Sequence, residues 1–304
     1  METVVINLLN GIAYGMVLFL IAAGLSVILG LMGIVHLAHG AIFIAGGFVG
    51  LTIVKATGSF LLGVLFGAFS SGLAGLVIER GFLRFLHKQE LEQVLVTFGF
   101  VYIISNLILW IWGAWPRAAF VPSYFAGSVA IMGAYFPLHR FAIIAVGAAI
   151  CLGLWWLQEK TRIGAIIRAG MDNAEMVSGL GINLTPINIG AFFLGSFIAG
   201  GGCLIGAQLF GSIGHNDGVN MLLTAIAVCI IGGVGSVQGA LVGALLIGII
   251  DNFANARGTP WDAPGWQSAN SSTNHTNHPR PIAWRPRCGG RRRRATGGWC
   301  PRRP

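Results

Sequence analysis

VVINLLNGIAYGMVLFLIAAGLSVILGLMGIV, residues 4–35, contains no charged residue. An α-helix needs roughly 20 apolar residues to cross the hydrocarbon core of a bilayer, and this run exceeds that length. A water-soluble helix would need a polar face, yet this run offers only scattered Asn, Tyr and Ser. It reads as a membrane-spanning helix, and the chain around it must be read in the same solvent. Further apolar blocks follow at about 38–57, 59–79, 94–113, 140–157, 186–210 and 219–251. The first and last are too long for one perpendicular span, and each contains a glycine-rich interruption: Gly30 to Gly33 in one, Gly232, Gly233 and Gly235 in the other. Broken or re-entrant helices are predicted at both, because irregular backbone is tolerated at membrane depth when protein or a water-filled cavity surrounds it.

Composition agrees. Of 304 residues, 55% are hydrophobic and 10% charged, with a mean hydropathy of +0.76, whereas a soluble domain carries about 25% charge. The alternating segments of about 10 residues that mark a transmembrane β-barrel are not visible. The expected fold class is therefore all-α: a polytopic transmembrane helical bundle of 7–8 membrane segments. Its 46 glycines suit helices packed through small faces, since lipid tails give apolar side chains no reason to prefer one another. The first block lacks a basic leader and runs too long for a cleavable signal peptide.

The net charge of +9 resembles a nucleic-acid signature until it is located. Residues 1–256 carry nine Lys or Arg and nine Asp or Glu, giving 9 − 9 = 0, and residues 257–304 carry ten Arg and one Asp, giving 10 − 1 = +9. No nucleic-acid partner is expected of the membrane part. Arg80, Arg84 and Lys88 follow the third block, and Lys160, Arg162 and Arg168 follow the fifth. The positive-inside rule places both loops in the cytoplasm. The intervening loop, 114–139, is then external, with Trp110, Trp112, Trp115 and Tyr124 as its aromatic belt, and the N-terminus lies outside. Cys151, Cys203, Cys229, Cys288 and Cys300 have neither CxxC nor other ligand spacing, so no disulfide framework or metal site is implied.

After Ile250 the character changes. The tail, 252–304, holds seven of the 11 prolines, four of the nine tryptophans and RRRR at 291–294. Two sequons, at Asn270 and Asn274, arise from composition. A basic arm for anionic lipid or nucleic acid, an unstructured tail and a reading-frame artefact are the competing readings of this segment. The last two suit it best.

The longest polar island in the membrane part is RAGMDNAEMVSGLGIN, residues 168–183, within a predicted cytoplasmic loop over 158–185. Asp172-Asn173-Ala174-Glu175 has capping-box spacing, which predicts a short helix starting at Asp172. Met176, Val177 and Leu180 share one face. Gly179 and Gly181 supply a helix end. An ordinary interfacial loop is the plain alternative, but a capped helix between spans is suited to docking.

TRIGAIIRAGMDNAEMVSGLGIN resembles the cytoplasmic coupling loop of permease subunits from ATP-binding-cassette importers for branched-chain amino acids. NGIAYGMVLFLIAAGLSVILGLMGIVHLAHGA, VTFGFVYIISNLILWIWG, AFFLGSFIAGGGCLIGAQ and IGGVGSVQGALVGALLIGIID are similar to other segments of that family, in the same order, over about residues 5–251. The resemblance implies a bacterial cytoplasmic (inner) membrane subunit that pairs with a homologous second permease. Two cytoplasmic ATP-binding subunits and a soluble substrate-binding protein outside the cell complete the implied importer of Leu, Ile or Val. It implies coupling to the ATPase through Arg168, Asp172, Asn173, Glu175, Met176, Gly179 and Gly181. The chain departs from the family at His36, where Asn is usual, and after residue 251, where a final apolar helix is missing and only WRPRCGG at 284–290 echoes the family's ending.

The chain has no GxxxxGK[ST], HExxH or GxSxG, so neither phosphate-cradling, metalloprotease nor nucleophile-elbow chemistry is encoded. A transport subunit without cofactor or metal is expected, with ATP hydrolysis in a partner. Intramembrane polar residues are then the candidates for function. His36 and His39 flank the break between the first two blocks. They either satisfy backbone freed there or line a path for the solute, and too few further ligands are present for a metal. Thr97, Asn106 and Gln208 either line the same path or bond helix to helix. Gly232, Gly233, Gly235, Ser236 and Gly239 suit close backbone packing better than solute contact. A permease for a sugar or another small solute, an ATP-independent secondary carrier and a non-functional truncated product are the rival readings.

Overall fold

The computed structural model describes residues 2–256 except 34–35, 87–88, 123–124, 126 and 132–133. The expectations for Lys88, Tyr124, Cys288, Cys300, the two sequons and the Arg-rich tail lie outside the described residues.

Nine α-helices are described: α1 (Glu2–Met32), α2 (Ala38–Thr57), α3 (Phe60–Gly81), α4 (Glu90–Trp112), α5 (Leu138–Lys160), α6 (Arg162–Gly179), α7 (Thr185–Phe210), α8 (Asp217–Gly232) and α9 (Val237–Ala256). Seven are long and apolar enough to cross a membrane, and α8 is a shorter apolar helix. The described strands are short: β1 (Arg117–Ala118) pairs antiparallel with β4 (Ser212–Ile213), and β2 (Ser128–Ile131) with β3 (Ala134–Pro137). The all-α bundle expected from hydropathy is the fold, with span boundaries close to the apolar blocks.

Helices α1 and α7 form the centre. Leu18 to Ala23 and Leu25 are fully buried on α1, as are Phe192, Ser196 and Ala199 on α7. α4 and α5 lie at the periphery and expose Leu95, Tyr102, Trp110, Leu152 and Trp156, as lipid-facing helices should. Glycine sets the closest contacts. A Cβ at Gly24 would lie 2.5 Å from the Gly195 carbonyl oxygen, and one at Gly248 would lie 2.5 Å from the Gly15 amide nitrogen. Backbones therefore touch at α1–α7 and α1–α9, the close approach that gains dispersion contact where no hydrophobic force operates between helices.

The glycine-rich interruptions behave differently from each other. The first block is one continuous helix of 31 residues, about 46 Å long at 1.5 Å per residue. Gly30 is helical, and Gly33, at φ +70°, ends the helix rather than breaking it. The expected internal break in this block is corrected to a terminus. The last block does break: Gly233 and Gly235 have φ of +89° and +84°, and α9 folds back on α8 with Gly239 against Gly232. α9 continues to Ala256, a turn beyond residue 251.

The two ends of the bundle follow from contacts. Arg140, starting α5, donates to Asn10 Oδ1 of α1, so α1 and α5 begin at one end. At the other end, Gly30 of α1 meets Met171 of α6 and Gly235 of the α8–α9 turn.

Candidate functional site

The polar island forms the second half of α6. Thr161 caps the first half, its Oγ1 accepting from the Gly164 N–H at 3.1 Å. At Asn173 the backbone leaves the helical region (φ −158°, ψ 94°), and a short helix follows from Ala174 to Gly179. The cap is Asn173, whose Oδ1 accepts from the Met176 N–H at 2.9 Å. The cap expected at Asp172 is therefore corrected by one residue: the amide at the kink occupies the N-cap, and Asp172 closes the helix before it. Gly181, at φ +82°, reverses the chain, its N–H donating to the Ser178 carbonyl at 3.0 Å.

The apolar face of this knob is not packed as a unit. Val177 is buried, whereas Met176 is 68% and Leu180 76% exposed. Gly179 and Gly181 have open space around them. Asp172 borders a cleft of about 450 Å³, lined also by Gln158, Glu159, Arg168, Met171 and Gln238. Arg168 donates to the Gln158 carbonyl and stands 3.5 Å from Glu159 Oε2, which ties α6 to the last turn of α5.

The intramembrane candidates are not gathered at one point. His36 and His39 are fully buried, with ring centroids 6.0 Å apart, and His36 stands edge-on to Phe192 at 5.0 Å. His39 Nε2 lies 3.2 Å from the Ile21 carbonyl, and because a carbonyl only accepts, Nε2 carries the proton. Both nitrogens of His36 and Nδ1 of His39 have no hydrogen-bond partner. Thr97 is buried and bonds its own helix at Val94. Asn106 is exposed on α4 and donates to the Tyr102 carbonyl at 2.8 Å. Gln208 lies near the far end of α7, where it donates to the Phe120 carbonyl at 3.4 Å. Gly232 and Gly239 are in backbone contact, Gly233 and Gly235 hold positive φ, and Ser236 Oγ accepts from the Gly239 N–H at 3.0 Å.

Residues 7–269 match the family described as "Branched-chain amino acid transport system / permease component". The chain belongs to that family. It is 26% identical to the high-affinity branched-chain amino acid transport system permease protein BraD of Pseudomonas aeruginosa, covering 81% of this chain and 85% of the relative. It is 28% identical to LivH of Escherichia coli, of the same description, over 82% and 85%. More distant similarity reaches the ribose import permease protein RbsC of Haemophilus influenzae, at 26% over 82% and 77%. No solved structure matches it. The chain is thus a multi-pass membrane permease component of the ATP-binding-cassette transporter class.

Several polar residues of this permease escaped the sequence reading. Glu79 on α3, with Asn188 and Ser196 on α7, is buried, and each of the three has a side-chain oxygen without a partner. Ser26 and Gln158, which bond the α8–α9 turn, also escaped it. Polarity inside or beside an apolar block was the available signal for all five. Hydropathy alone does not say which face of a helix meets protein.

Proposed function

We propose that this permease forms, with a homologous second permease, the path of an ATP-driven importer of leucine, isoleucine and valine in the bacterial cytoplasmic (inner) membrane. A soluble binding protein delivers the solute from outside. Two cytoplasmic ATP-binding subunits hydrolyse ATP, and one of them docks on the knob at 174–181. The observation that carries this reading is the pair Met176 and Leu180, left exposed by a capped helix at the end of the bundle that also bears Arg162 and Arg168. Lipid covers apolar side chains along the spans, but a polar, kinked element between spans has no such cover, and a protein cleft fits it. Arg168, Asp172, Asn173 and Glu175 lie on the same helix, and in this reading they supply the polar groups that orient the partner. A partner drives the transport cycle only if it binds one arrangement of the bundle better than the other.

Reconstituted vesicles containing the permease pair, the ATPases and the binding protein provide the test. Glu175→Lys is expected to lower leucine uptake by about tenfold, a 1.4 kcal/mol change in coupling, with unchanged membrane insertion. Equal uptake at equal protein would refute the assignment. The similarity to a ribose permease supports a sugar as the second reading for the solute. Competition decides: excess unlabelled isoleucine, and not ribose, should abolish leucine uptake. Uptake that follows an ion gradient without ATPase would instead mark a secondary carrier.

A further inference from the structure

The knob is joined to the interior of the bundle by contacts that docking itself does not require. Arg168 ties α6 to the last turn of α5, as above, and Gln158 in that turn reaches the other way. Its Nε2 donates to the Gly235 carbonyl at 2.9 Å, across 77 residues of sequence. The Gly235 N–H in turn donates to Ser26 Oγ at 3.0 Å, a buried bond into α1. One residue of the α8–α9 turn thus holds α5 through its carbonyl and α1 through its amide.

Packing at the same point is close. A Cβ on Gly30 would lie 2.6 Å from Gly235 Cα and 2.5 Å from Met171 Sδ, and a Cβ on Gly235 would lie 2.6 Å from the same sulfur. The φ of +84° at Gly235 also favours glycine. So α1 and the α8–α9 turn meet backbone to backbone, and α6 reaches both glycines through the Met171 side chain. Close-packed contacts of this kind move together or separate; they do not deform gradually.

We propose that Gly235, held by Gln158 and Ser26, is the transmission point through which movement of α6 reaches α1 and the α8–α9 hairpin. The three are positioning residues, acting through the helices they join. The proposal rests on the reading of the knob as the ATPase docking element. Without these hydrogen bonds, α6 still docks its partner, but its displacement slips past the turn, and ATP is consumed without moving solute.

The test uses the complete importer in vesicles, with leucine uptake and ATP hydrolysis measured on the same preparation for the unaltered complex, Gln158→Ala and Ser26→Ala. Both variants are expected to retain the ATPase subunits and to hydrolyse ATP within about twofold of the unaltered complex. Leucine moved per ATP should fall about fivefold, the size set by one hydrogen bond of a mechanical linkage. The double variant should do no worse than either single one, because both bonds belong to one linkage. A general loss of folding would lower uptake and hydrolysis together and leave their ratio unchanged, and that result overturns the proposal, as does normal uptake in both variants. Gln158 is only half-buried, so its variant is readable even if Ser26→Ala does not accumulate. Failure of the unaltered permease to retain an ATPase would sink the docking reading instead.

Discussion

At the scale of single residues, the knob depends on Asn173. Its side chain satisfies the Met176 amide, one of the N–H groups that a helix start leaves without an intrahelical acceptor. Asn173→Ala is expected to destabilise residues 174–179 by about 1 kcal/mol, seen as amide exchange roughly fivefold faster there than in the unaltered protein. Asp172→Ala should leave that exchange unchanged. The sequence pointed to Asp172, because Asp172-Asn173-Ala174-Glu175 has capping-box spacing. What moves the cap to Asn173 is the kink there, where the backbone leaves the helical region (φ −158°, ψ 94°), and the capping pattern does not encode it. His36 was legible as a buried polar residue at a break. Its unpaired nitrogens were not, since that depends on α7 supplying Phe192 beside it rather than a donor or acceptor.

At the scale of elements, hydropathy found the spans because lipid imposes one length and one composition on each. It could not say whether a glycine cluster ends a helix, interrupts it or packs it. Gly33 ends α1, Gly233 and Gly235 turn the chain between α8 and α9, and Gly24 does neither: it lets α7 come to contact. Gly24→Val is therefore expected to destabilise the permease by about 1–3 kcal/mol through overpacking, because the nearest atoms are the Gly195 backbone and cannot rotate away. Thermal unfolding in detergent should show a lowered midpoint. A similar substitution at Gly99, with open space around it, should shift the midpoint little. Both glycines sit within apolar blocks and look alike in sequence; only the identity of the neighbouring helix separates them.

At the scale of the whole molecule, the proposed docking requires one orientation in the membrane, and charge bears on it. Arg80, Arg84, Lys160, Arg162 and Arg168 border α3, α5 and α6, whereas Arg117 and Arg140 border the loop that carries the exposed Trp115 and follows the exposed Trp110 of α4. The positive-inside rule favours the cytoplasmic side for the knob, the placement that the proposed ATPase docking requires. Thiol labelling of Met176→Cys in a background whose five native cysteines are replaced by serine tests this most directly. A membrane-impermeant maleimide should label the variant in inside-out vesicles and not in right-side-out ones, and bound ATPase subunits should block the labelling. Labelling only in right-side-out vesicles, or labelling indifferent to the ATPase, would contradict the account.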